Sequence, residues 1–157
     1  MNLVNALALA RERGIVIEER SAEAPGDFAT LIQTEVTTER KTYVAAGTLF
    51  GKQFLRLVRL GTYLLDAHID GTLLVFTHHD RPGLIGFIGG TLGNEGVNIA
   101  QMNVGREEQG GEAIGVVNLD SVPSENALAT LRTNAHIISL SVIKLPAQGA
   151  VPAWLGS

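Results

Sequence analysis

After residue 70 the apolar positions change period in a regular order, from extended runs to helical spacing and back. Gly71 to Thr77 reads as a strand, a helix runs from about Pro82 to Asn94 with Gly96 as its stop, and Asn98 to Arg106 is a second strand that turns at EEQGGE. Ala113 to Asp120 is the return strand, Ser124 is an N-cap candidate for a helix through Arg132, and Ile137 to Leu145 is the last strand. This βαββαβ order predicts a four-stranded antiparallel sheet with both helices on one face.

Before residue 70 the texture differs. Leu3, Leu7 and Ala10 recur at helical spacing, Arg11 and Arg13 sit in the last turn, and Gly14 follows as a C-terminal stop. Ile15 to Glu19, Ala29 to Thr37, Thr42 to Phe50 and Leu55 to Leu60 then read as strands, with APGD at 24 to 27 as a turn. One helix for four strands leaves an apolar sheet face uncovered, which predicts a block that is incomplete or completed by another chain. The glycines between Gly61 and Gly71 mark the junction, placed near Asp70. The expected organisation is α+β throughout: a smaller, incomplete domain over 1–70, a ferredoxin-like βαββαβ domain over 71–146, and a tail over 147–157 in which Trp154 and Leu155 could dock on a neighbour.

The helix from Pro82 has an unusual outer face. At 100° per residue Leu84, Ile85, Ile88 and Leu92 form one stripe, and Gly86, Gly89, Gly90 and Gly93 lie opposite. At roughly 1 kcal/mol per glycine relative to alanine, four cost on the order of 4 kcal/mol. The expectation is that another backbone or a ligand approaches this face; the bland alternative is a frayed, tolerated helix.

Composition narrows the chemistry. The chain has 157 residues, 45% hydrophobic and 18% charged, with a formal charge of -4, which gives no electrostatic reason to expect nucleic acid or an anionic membrane as partner. Cysteine is absent, which excludes disulfides and thiolate metal sites and fits a reducing cytoplasm. The first residues are too short and too quickly charged to span a bilayer, and they lack the pattern of a secretion signal. His78 and His79 point to opposite faces of a strand, so no metal site is expected there, and no Walker loop or G-x-S-x-G elbow marks a catalytic residue.

The candidate site is the start of that helix. Asp80-Arg81-Pro82-Gly83 leaves free backbone N–H groups beside a strand end, suited to a carboxylate. Asp80 offers an anion for an ammonium group, His78 a donor, and Asn98 a paired donor and acceptor, so strand and helix ends converging in one small volume would suit an amino-acid zwitterion. On pattern alone Asp80 serves equally well as a helix cap and Asn98 as a turn residue.

At these residues the second block resembles an ACT domain, the small-molecule regulatory module of amino-acid metabolism. The runs NLVNALALARERGI, AAGTLFGKQFLRLVRLGTYLLDAHIDGTLLVFTHHDRPGLIGFIGGTLGNEGVNIAQMNVGR and GGEAIGVVNLDS together are similar to the C-terminal half of the D-3-phosphoglycerate dehydrogenase family, over about residues 2 to 145. The resemblance implies part of an intervening, allosteric-substrate-binding domain followed by an L-serine-sensing ACT domain. It carries serine contacts onto His78, Asp80 and Asn98, with backbone from Gly83 and Leu84; many relatives have asparagine where Asp80 stands, which puts the ligand itself in question. It also implies serine held between two ACT domains packed side by side, hence a homodimer, and it places a phosphate or anion contact on Arg56 and, more weakly, on His68, Lys52 and Arg59. For Arg56 and Arg59 a solvated strand face is the bland alternative.

The function implied is regulation of serine biosynthesis without catalysis by this chain, in contact with a catalytic dehydrogenase. No G-x-G-x-x-G follows a strand, so NAD would belong to domains outside this sequence. Two other readings compete: the regulatory β-type subunit of an iron-sulfur L-serine dehydratase, and an RNA-binding βαββαβ module. The latter should show aromatic stacking platforms on its central strands, and AIGVVNLD has none.

Overall fold

The computed structural model describes residues 6–21, 28, 30–51 and 54–145. They form α1 (Ala6–Glu12), β1 (Ile32–Thr37), β2 (Thr42–Phe50), β3 (Phe54–Leu60), β4 (Tyr63–His68), β5 (Thr72–His79), α2 (Leu84–Asn94), β6 (Ile99–Arg106), β7 (Glu112–Leu119), α3 (Glu125–Arg132) and β8 (Ile137–Lys144). The strands make two four-stranded antiparallel sheets, β1-β2-β3-β4 and β6-β7-β5-β8.

The second sheet is the expected βαββαβ unit. Leu74 and Phe76 of β5, Val117 and Leu119 of β7, Leu84, Ile88 and Leu92 of α2, and Leu128 and Leu131 of α3 form one core between sheet and helices. Phe76 lies across from Gly115, where an added Cβ would sit 2.1 Å from the Phe76 ring, so the missing side chain is what makes room for the aromatic. Ser124 caps α3, its hydroxyl accepting the Ala127 N–H at 3.0 Å.

The first sheet covers the opposite face. Leu65 and Ala67 of β4 pack against Leu73 of β5 and Ile114 and Val116 of β7, with Leu57, Leu60 and Tyr63 around them. β7 is therefore buried on both sides, which explains why its sequence is almost continuously apolar rather than alternating. Close approach is again built on glycine: a Cβ at Gly105 would stand 2.5 Å from the Leu64 carbonyl oxygen. Asn118 ties the junction down, its amide donating to the His68 and Asp70 carbonyls and the Asp70 carboxylate.

Several expectations are corrected. Residues 15–21 form no strand; Val16 is 87% exposed and has no neighbouring strand to pair with, and β-branched composition alone does not make one. YLLDAH, taken as part of the junction, is β4, and it is the strand that joins the two sheets. Over β3 and β4 the helix-poor block is covered by the second sheet rather than by helices. Over β1 and β2 that face stays open as an apolar groove of about 490 Å³ lined by Ile32, Gly47, Leu49, Leu55 and Ile69. The APGD turn, Lys52 and the tail with Trp154 lie outside the described residues.

The glycine stripe of α2 meets nothing among the described residues. Added Cβ atoms at Gly86, Gly89, Gly90 and Gly93 would find no neighbour there within 4 Å, so no packing by the described residues offsets their cost. Gly89→Ala with Gly90→Ala is expected to stabilise the isolated chain by about 1–2 kcal/mol in urea titrations. If the stripe serves a partner or ligand, the same pair weakens that contact; stabilisation with unchanged assembly and ligand binding removes the functional reading.

Candidate functional site

The helix face of the second sheet, at the end where β5 runs into α2, gathers the polar groups. β5 ends with His78 turned inward and His79 outward: His78 is 2% exposed, and its ring lies 5.3 Å from that of Phe76. Its Nδ1 stands 3.0 Å from the His79 carbonyl oxygen, whereas among the described residues its buried Nε2 has no hydrogen-bond partner. A buried ring nitrogen left unsatisfied in a well-packed strand is costly.

Gly83 begins α2 in a left-handed conformation (φ 87°), which a side chain would strain, and no side chain caps the helix. Asp80 is thus not the cap. Its Oδ2 accepts Arg106 Nη1 at 2.8 Å and the Gly110 N–H at 3.4 Å. The Arg106 hydrogen bond, with help from the Gly110 amide, holds the Asp80 carboxyl below its ordinary range.

The ladder explains how Arg106 comes here. Ala113 of β7 pairs with His78 on one side and with Arg106 on the other, which puts the three in one row across the sheet. Residues facing each other across strands share a face, and a row spanning three strands covers about 10 Å. Ala113, the smallest member, forms a floor between imidazole and guanidinium. The sequence reading missed Arg106, because its place depends on a strand order, β6-β7-β5, that no local pattern carries.

The same ladder separates Asn98 from the rest. Ile99 pairs with Leu119, and Leu119 with Thr72, at the far end of β5 from His78. Seven residue steps of strand amount to about 23 Å. There Asn98 donates to Asp120 Oδ2 at 2.7 Å. Within one protomer the structure brings together His78, Asp80, Gly83 and Leu84, and the expected convergence with Asn98 does not occur.

Of the anion candidates, Arg56 and His68 are cross-strand partners, and a bulge at Val58 in β3 places Arg59 on their face. Arg59 Nε donates to the Gly61 carbonyl at 2.9 Å, and Arg56 Nη1 lies 3.6 Å from Asp66 Oδ1. Asp66 already supplies negative charge beside Arg56. Among the described residues no cluster of His, Asp and Glu could hold a metal, and no helix is long and apolar enough to cross a membrane.

A small-molecule regulatory domain with βαββαβ order and a polar corner at its first helix is the ACT class, and residues 72–136 match the ACT domain model. Residues 1–61 match the model of the D-3-phosphoglycerate dehydrogenase intervening domain. Over these two stretches the chain corresponds to a C-terminal part of D-3-phosphoglycerate dehydrogenase, an intervening-domain region followed by an ACT domain. It is 34% identical over 146 residues to D-3-phosphoglycerate dehydrogenase of Bacillus subtilis, aligned over 93% of this chain. It is 32% identical to the Archaeoglobus fulgidus enzyme of the same name over 147 residues, and 32% to that of Methanocaldococcus jannaschii over 145. The chain spans 27% to 28% of the length of these relatives.

Proposed function

We propose that this chain is the amino-acid-sensing region of a phosphoglycerate dehydrogenase and that its ligand is L-serine, held at the His78, Asp80, Gly83 and Leu84 corner. The observation that carries this is the buried His78 whose Nε2 lacks a partner beside the amino end of α2 and an ionised Asp80. The site is completed by Asn98 of a second copy. β6 is the edge of its sheet, uncharged from Ile99 to Gly105, and such an edge is a template for pairing. A two-fold antiparallel pairing centred on Met102 would set Asn98 of one copy against Arg106 of the other and create two equal sites.

Regulation is then a coupling free energy: ligand holding two ACT domains together biases attached catalytic domains by typically about 1–3 kcal/mol, with reciprocal effects on ligand affinity. The catalysis and its NAD belong to other domains in this reading, which places the protein in the cytoplasm, and a small anion at Arg56 and His68 is a secondary element of it. An RNA platform is disfavoured because β4 covers the sheet face that such modules use. The dehydratase-subunit reading finds no support in relatives that carry the dehydrogenase name.

Calorimetric titration with L-serine, glycine and phosphate tests the proposal together with sedimentation of the saturated protein. Saturable serine binding by a dimer is expected, lost in Asp80→Ala and in Asn98→Ala and regained at about a quarter of the parental stoichiometry when equal amounts of the two variants exchange subunits, since half of the dimers are then mixed and each holds one intact site of two. Serine binding that survives both substitutions, or a strictly monomeric saturated species, overturns it.

A further inference from the structure

We infer that Arg106 sets the ligand class of this corner: with Asp80 it forms an exchangeable ion pair that admits a zwitterion and rejects a molecule carrying only one of the two charges. The inference rests on the amino-acid reading of the same site. The pair is close, Nη1 to Oδ2 at 2.8 Å, but not sealed, the guanidinium being 55% exposed and the carboxylate 26%. Oδ2 carries both hydrogen bonds, from Arg106 and from the Gly110 amide, and among the described residues Oδ1 has no partner. Arg106 likewise spends one N–H of its five on Asp80, and its row-mate His78 presents an orphan Nε2 across the small Ala113.

Charge accounting decides what such a corner accepts. An ammonium can take the free oxygen of Asp80 while a carboxylate takes the free edge of the Arg106 fork, so every charge stays paired before and after binding. A lone amine at that oxygen would share the single negative charge of Asp80 with Arg106 and leave one positive charge uncompensated at the corner. A lone acid would do the reverse. Desolvating one member of a pair without its partner is the costly case, so the built-in pair discriminates against both. Asp80 alone, without Arg106, would be a general cation site.

The test is calorimetric titration of the whole chain and of Arg106→Gln with three probes of one size: L-serine, L-serinamide and L-glycerate. The unsubstituted chain is expected to bind L-serine roughly 10- to 100-fold more tightly than either monovalent probe, the range of one charge-assisted hydrogen bond. Arg106→Gln should weaken L-serine by a similar factor and erase or invert its preference over L-serinamide, and Asp80→Asn should do the same for L-glycerate. Arg106→Lys keeps the charge without the fork and should bind L-serine more weakly while retaining the order of preference; it carries the test if Arg106→Gln is poorly folded by circular dichroism. Tighter or unchanged L-serine binding in Arg106→Gln, or in Arg106→Lys when that variant stands in, overturns the inference. If the unsubstituted chain binds none of the three probes, the amino-acid site itself is refuted, which is a distinguishable failure.

Discussion

Phe76→Ala is expected to destabilise the chain by about 3–5 kcal/mol in urea unfolding, a large part of the stability of an ordinary domain. The ring is fully buried, sits over Gly115 and packs beside the His78 imidazole. Its removal therefore costs transfer energy, leaves a cavity and frees the imidazole to move. The complementary change is as informative. Gly115→Ala pushes a methyl group into the ring and should cost about 1–3 kcal/mol, whereas Phe76→Leu with Gly115→Ala should cost less than the sum of the singles. Strict additivity would mean that ring and glycine are not the matched pair their geometry describes.

Gly105→Ala is expected to act on the joint between the sheets. Its Cβ would stand 2.5 Å from a backbone oxygen of Leu64, and no rotamer relieves a clash with main chain. β4 must retreat, opening the layer of Leu65, Ala67, Leu73, Ile114 and Val116 at a cost of about 1–3 kcal/mol. In calorimetry the single transition of the parent should broaden or divide, with the part assigned to residues 32–68 melting first. A variant that melts as one sharp transition at the parental temperature would show that β4 is not wedged on β6.

What the sequence disclosed follows from how local each signal is. The βαββαβ order was legible because Leu84, Ile88 and Leu92 repeat at helical spacing, Ser124 is a true cap, and Gly96 ends the turn after α2. β4 escaped notice because six residues between Gly61 and Gly71, both with φ 62°, look like one long turn region until a partner strand is known. Ile15 to Ile17 failed for the converse reason: favourable composition with nothing beside it. At the site, His78 and Asp80 could be proposed because they adjoin a glycine-started helix, one local motif. Arg106 is 26 residues beyond Asp80 and enters only through the ladder, and the same ladder carries Asn98 away. Proximity along the chain predicted neighbours; register decided them.

The two-sided burial of β7 has a mechanical meaning. Ala113 lies at its end, under the polar corner, and the rest of the strand is gripped by helices above and by β4 below. Close-packed layers do not yield gradually, so a push at the corner has no soft material in which to dissipate. The strand behaves as a lever clamped along its length, and whatever tilts one end must tilt the intervening-domain sheet with it.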